Sequence, residues 1–404
     1  MIIQQNNYLN FLKSNYKYLV SLCSNGFENS HYTNIIAAGN KKADFHEKGK
    51  WLFGHISYDY KNQIENLNSD LPDFSNFPDT LFFEPEIIIL EKVDKIDVIT
   101  NLDEKKIKEL LFKETPHQNS SLTKKKAVKS RISKEHYLNK LDSLINHIQR
   151  GDIYEINFCK EFYIEDITVN PIEVYSTFNQ LSPSPFSCFY KCGDNYLISG
   201  SPERFIQKKG NKVISQPIKG TAKRGKTESE DIFTKKELEK NQKERSENIM
   251  IVDLVRSDLS RIAKKNTVKV DELCKVYTFP LWHQMISTVS CEVEESISFN
   301  DILKATFPPG SMTGAPKISA MKLIEKYETV KRGIYSGSVG YIKPNGDFDF
   351  NVVIRSIEYN SKTNYVSYKV GGAITAKSIP EKEYEECLIK AKPFFKIFEP
   401  DESS

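Results

Sequence analysis

The spacing of apolar side chains changes period several times along this chain. Residues 8–24 carry theirs at intervals that fit a weakly amphipathic helix. Residues 51–58, WLFGHISY, are aromatic and strand-like, and 82–90 include the β-branched run Ile87-Ile88-Ile89, typical of a strand. After Ser133 the pattern sharpens. Tyr137, Leu141, Leu144, Ile145 and Ile148 form one helical stripe, which Ser133 can cap and Gly151 can close. Four pairs of short apolar runs then flank turn residues: 186–191 with 196–199, 204–208 with 213–215, 339–343 with 348–354, and 356–360 with 365–370. Hairpins in series predict antiparallel sheet rather than the parallel sheet of a dinucleotide fold. Long helices are expected at roughly 234–263, 315–328 and 381–395. The fold class is α+β.

Residues 115–121, TPHQNSS, followed by Lys124-Lys125-Lys126, read as a linker. The expected organisation is an N-terminal α+β region over 1–118, a basic polar linker over 119–132 and a main region over 133–404. A chain of 404 residues exceeds what one core usually fills, so two lobes are expected. With 39% apolar and 27% charged residues the composition is that of a soluble globular protein. A net charge of +3 gives no reason to expect nucleic acid. No apolar run approaches the roughly 20 residues that cross a bilayer, so no membrane partner is expected. The N-terminus lacks the apolar region of a signal peptide. The seven cysteines are scattered without a CxxC pair, which points to reduced thiols in a cytoplasmic protein and away from zinc.

The candidate chemistry centres on Ser215-Gln216-Pro217-Ile218-Lys219-Gly220-Thr221. Pro217 biases Gln216 towards an extended shape, and Gly220 lets backbone come close to a ligand. Lys219 is expected where a strand gives way to a loop. Desolvated there, a lysine can act as a nucleophile. Residues 220–227 also match the phosphate-loop expression GxxxxGK[ST], but the charged segment that follows is not the amphipathic helix of a βαβ unit, so a nucleotide switch is the weaker reading. Glu244 with Glu247, and Glu383 with Glu386, are two E-x-x-E pairs on helical stretches. Each pair shares a helix face, and two facing pairs offer hard oxygen ligands suited to Mg²⁺. Ser311 lies in a loop running into a helix, Arg355 has a fork suited to a carboxylate, and Gly371-Gly372-Ala373 allow backbone N–H groups to approach a second one.

From about residue 133 to 395 the chain resembles the chorismate-utilising enzymes. The likeness rests on 151–157 (GDIYEIN), 201–205 (SPERF), 217–221 (PIKGT), 246–258, 309–317, 332–335 (RGIY), 353–356 (VIRS) and 371–386, all in the same order. It implies two intertwined lobes of antiparallel sheet wrapped by helices, with the site in the cleft between them. Anthranilate synthases typically carry Ala at the place of Lys219, whereas aminodeoxychorismate synthases carry Lys. The resemblance therefore implies amination of chorismate to 4-amino-4-deoxychorismate, towards para-aminobenzoate and folate. Anthranilate or isochorismate and salicylate synthesis are the alternatives. By the same likeness Glu203 is the general acid, Lys219 attacks C2, and Glu244, Glu247, Glu383 and Glu386 hold Mg²⁺. Tyr335, Arg355, Gly371, Gly372 and Ala373, with Gly220, Thr221 and Ser311, hold the substrate. The amine of Lys219 must be neutral to attack, so a lowered pKa is expected. No cysteine-nucleophile glutaminase signature is present, so ammonia is expected from a separate glutaminase subunit or from solution. Two positions depart from the family pattern. Gln284-Met285 stand where a His-Leu pair is common, with His283 one place early, and Glu155 replaces the usual Gln. Glu155 is a catalytic candidate that either meets incoming ammonia or braces a loop.

Overall fold

The computed structural model describes residues 2–27, 34–92, 95–103 and 125–400. Two antiparallel sheets form its middle. In the first, the strands run in the order Gly314–Ala315, Glu155–Ile164, Tyr365–Ile374, Ser356–Asn360, Asn195–Ser201, Phe186–Cys192, Tyr18–Cys23, Asn34–Gly39, Ile87–Lys92 and Lys95–Thr100, with Lys129–Ser130 also paired to Glu155–Ile164. In the second they run Ile218–Lys223, Trp282–Glu292, Lys212–Gln216, Arg204–Lys209, Phe348–Asn351, Ser338–Ile342, Leu52–Ile56, Thr80–Glu84 and Lys41–Ala43, with Lys269–Thr278 also paired to Trp282–Glu292. All four expected hairpins are present.

Residues before and after the linker share both sheets. Tyr18–Cys23 pairs with Phe186–Cys192 in the first, and Leu52–Ile56 with Ser338–Ile342 in the second. Of the linker itself, residues 119–124 lie outside the described residues.

Side-chain alternation along the strands explains the layering. Successive residues of a strand point to opposite faces. Ile87 and Ile89 face a core built with the helices Lys134–Gln149, Pro171–Leu181 and Pro380–Phe398, while Ile88 and Leu90 face a core shared by the two sheets. Phe53, Leu81 and Phe83 enter that shared core from the second sheet, while Leu52 and Phe82 face the helices Gln242–Ser260 and Phe299–Thr306. The result is helices, sheet, sheet, helices. Strands covered on both sides are apolar throughout, which accounts for the triple isoleucine.

The same two-sided burial corrects one expectation. Residues 8–24 are not a single helix: helix Ile2–Asn15 ends, and Tyr18–Cys23 is a strand of the first sheet with five of its six residues buried. An apolar run buried on both faces lacks the alternation that would mark it as a strand. The helix expected over 234–263 is two helices, Glu228–Lys240 and Gln242–Ser260, divided at Asn241, whose side chain accepts from the N–H of Glu244. Ser133 caps its helix by accepting from the N–H of His136, and Gly151 follows the helix at φ +84°. All seven cysteines are buried and unbridged. Among the described residues no helix is long and apolar enough to cross a membrane.

Candidate functional site

Lys219 lies within the edge strand Ile218–Lys223, not beyond a strand end. Ile218 pairs with Ile286 and Thr221 with Gln284, so this strand spends one more residue than its partner between the two pairs. Such a bulge re-aims a side chain. Here it accompanies the turning of Lys219 into a pocket of about 420 Å³. Gly220 takes φ +88°, and a Cβ there would stand 3.2 Å from Cβ of Glu244. The glycine thus serves twice, in the turn and in the close approach of helix Gln242–Ser260.

That pocket collects Lys219, Glu203, Gly220, Thr221, Ser311, Tyr335, Arg355, Gly371, Gly372, Ala373, Glu244, Glu247, Glu383 and Glu386. Glu155 stands just outside its lining, where Oε1 accepts a hydrogen bond from Lys219 Nζ at 3.0 Å. The side chains of the pair are 10% and 1% exposed. Burial pushes the Lys219 ammonium down, but the Glu155 carboxylate beside it, with Glu247 and Glu203 further off, outweighs burial and holds its pKa above the ordinary value. The direction is therefore opposite to the expected lowering: beside Glu155 the ammonium form of Lys219 is favoured. The neighbour responsible is the residue that departs from the family pattern.

Glu203 is buried, and its Oε1 accepts from Ser311 Oγ at 2.7 Å. Burial pushes its carboxyl up to about 7, against the opposing pull of Ser311, Lys219 and Arg355. A proton donor at neutral pH requires such a pKa. Arg355 precedes the strand Ser356–Asn360 in a left-handed conformation, φ +49°, and has no ion-pair partner among the described residues. A planar cation facing a pocket without a carboxylate partner has a geometry suited to an anionic ligand. The buried Arg332 guanidinium ties the walls together, donating to the carbonyls of Met312 at 2.6 Å and Asn157 at 2.8 Å and to Glu328 at 2.9 Å.

The E-x-x-E pairs come from helices Gln242–Ser260 and Pro380–Phe398. Burial pushes Glu247 up to about 7, and raises Glu244 and Glu383 as well. Glu386 is lowered by Lys390, whose Nζ lies 2.7 Å from it. A Cβ on Gly372 would lie 3.3 Å from Oε2 of Glu383, so a side chain there would crowd this carboxylate. Among the described residues no three His, Cys, Asp or Glu are gathered to hold a metal as they stand. Two lysines that the sequence reading passed over, Lys243 and Lys390, sit among the four carboxylates. Their signal was present: Lys390 follows Glu386 by four residues, the spacing of a helical ion pair.

His283 turns away from the pocket, its Nε2 2.9 Å from Asp231 and its Nδ1 3.1 Å from Thr278, while Gln284 lines the pocket. The phosphate-loop look-alike is spent on the chain itself. Asp231 accepts from the N–H of Gly225 and Glu230 from that of Lys226, each at 2.9 Å, in the acidic first turn of helix Glu228–Lys240. A phosphate would meet carboxylates there.

Comparison with known proteins bears on the fold and the family. The chain is 33% identical over 370 residues to the anthranilate synthase component 1 of Acetivibrio thermocellus, covering 86% of this chain and 74% of that protein. It is 31% identical over 353 residues to the aminodeoxychorismate synthase component 1 of Bacillus subtilis (strain 168), covering 84% and 74%. The crystal structure of anthranilate synthase component I from Streptococcus pneumoniae TIGR4 superposes with a TM-score of 0.78 at 26% identity, over 93% of this chain and 91% of that one. The family model for chorismate binding enzymes matches residues 13–396, and the chain belongs to that family.

Proposed function

We propose that the chain aminates chorismate to 4-amino-4-deoxychorismate, as component I of an aminodeoxychorismate synthase, through a covalent bond to Lys219. The observation that carries this reading is a lysine amine presented inside the pocket, within the motif that distinguishes this branch of the family. Relatives bear both names, so the reading rests on the site rather than on similarity.

In this mechanism Arg355, Tyr335 and the backbone of Gly371 to Ala373, with Gly220, Thr221 and Ser311, receive the substrate dianion. Glu203 gives its proton to the departing C4 hydroxyl, and the Lys219 amine attacks C2. Ammonia then adds at C4 and expels the lysine. Splitting one displacement into two is the benefit of the covalent step.

The donor set fits Mg²⁺. It is all carboxylate, Oε1 of Glu247 is buried without a hydrogen-bond partner, and raised pKa values mark carboxylates in need of a cation. Glu244, Glu247, Glu383 and Glu386 would hold the ion, with Lys243 and Lys390 displaced from them. Bound there, it would supply positive charge for a substrate carboxylate.

Anthranilate synthesis is the second reading, favoured by the relative from Acetivibrio thermocellus. Product analysis separates the two. The purified chain with chorismate, ammonium and Mg²⁺ is expected to yield 4-amino-4-deoxychorismate; anthranilate as the main product would refute the proposal. Thermal shift with ATP or GTP is expected to show no stabilisation, in contrast to chorismate with Mg²⁺.

A further inference from the structure

Glu155 and Lys219 present a problem for a lysine nucleophile. The pocket is lined by Lys219 and not by Glu155, so the carboxylate stands on the protein side of the ammonium. Among the described residues, Lys219 Nζ is the one hydrogen-bond donor to Glu155: Oε1 takes it at 3.0 Å, and Oε2 has no partner. The carboxylate is 1% exposed, so bulk water is kept away from it.

Two routes lead from this pair to a neutral amine. If Lys219 gave its proton to solvent, Glu155 would remain as a buried anion without its counter-charge, the arrangement that buried ion pairs penalise most. If the proton crosses to Oε1, the net charge of the pair does not change. Both groups then become neutral, the form that burial favours. The other charged groups facing Lys219 do not offer this route. Glu203, Glu244, Glu247 and Glu386 act on it through space, and none of them hydrogen-bonds to Nζ.

We propose that Glu155 is the general base that takes the proton of Lys219 and keeps it while the lysine is bonded to substrate. The proposal rests on the covalent reading above. The proton moves from Nζ to Oε1, leaving an amine and a carboxylic acid. The Nζ lone pair forms the bond to C2, both conjugated ring double bonds shift along the ring, and the C4–O bond breaks. Glu203 supplies the proton that lets the hydroxyl leave as water. Ammonia forms the new bond at C4, both double bonds shift back, and the C2–Nζ pair returns to Lys219. Glu203 regains its proton from the ammonium of the product, and Glu155 returns its own to Lys219. The ion pair is restored and no redox partner is needed. An amide at this position would not accept the proton, so the departure Gln to Glu sets how this chain activates its lysine.

The test is the rate of adduct formation, followed by rapid quench and intact-protein mass spectrometry with chorismate in the absence of ammonia, across pH. Glu155→Gln keeps the volume and is expected to slow adduct formation about 100-fold at pH 7, the scale of general base catalysis. Its rate should climb about tenfold per pH unit until it reaches the Lys219 pKa, which burial lowers once the Glu155 charge is gone, because solvent must then take the proton. Glu155→Asp should keep the wild-type pH dependence at a reduced rate, and chorismate affinity should hold in both. A Glu155→Gln variant with wild-type rate and pH profile would overturn the proposal. So would Asp and Gln variants with identical profiles, since a merely positioning residue would give them. Absence of any Lys219 adduct in the wild type overturns the covalent reading itself, a result distinct from either.

Discussion

Lys243 places its ammonium 3.7 Å from Oε1 of Glu247 and 3.9 Å from Oε1 of Glu383, bridging carboxylates of two different helices. The bridge is long for a hydrogen bond, and Glu247 Oε1 remains without one. The lysine thus acts as a loose counter-charge that a divalent ion would displace. Glu247→Gln removes one ligand charge at constant volume. It is expected to weaken Mg²⁺ binding at least tenfold and abolish turnover, with a melting temperature near wild type. Because burial holds Glu247 at about 7, wild-type Mg²⁺ affinity should rise as pH increases through neutrality and the carboxylate loses its proton. Isothermal titration at several pH values checks both, and unchanged affinity in the variant would remove Glu247 from the ligand set.

Ser311 bonds Glu203 and stabilises its charged form. The acid must be protonated to work, so kcat should fall as pH rises through about 7. Ser311→Ala removes the bond, raises the pKa of Glu203 and should carry activity to higher pH, whatever it does to KM. Glu203→Gln should lose about 10²–10⁴ in kcat, the usual contribution of a general acid. A basic limb that does not move in Ser311→Ala would assign the titration to another group.

Gly220→Ala puts a Cβ into a left-handed position and against Glu244. A cost of about 1–2 kcal/mol in stability follows from the backbone alone. Activity should fall by more than that loss explains, because Glu244 and the bulge that turns Lys219 both have to shift. Denaturant melts and steady-state kinetics of the same preparation separate the two effects.

How far the sequence foretold this arrangement varies from residue to residue. Hairpins were legible because glycine and asparagine turns mark their ends, as at Gly193 and Gly346. Tyr18–Cys23 was not, because burial on both faces erases the period that separates strand from helix. The pocket members came from motifs spread across the chain, and the fold brings all but Glu155 to its lining. The protonation of Lys219 was read wrongly for a definite reason: burial was foreseen, but the partner at Glu155 lies 64 residues away in sequence. Which strands place two such residues 3.0 Å apart is a property of topology, not of local pattern.

The ammonia source gives a prediction independent of the lysine. The isolated chain is expected to turn over chorismate with ammonium salts and to show no activity with glutamine alone. Coupled assay of glutamate release tests this. Sustained glutamine-dependent turnover by the purified chain would contradict it.

The central claim is the covalent role of Lys219. Wild-type protein quenched during turnover should carry an adduct of chorismate less water that peptide mapping places on Lys219. Lys219→Ala should carry none and should form no 4-amino-4-deoxychorismate. An adduct that survives the substitution, or undiminished product from Lys219→Ala, would contradict the account.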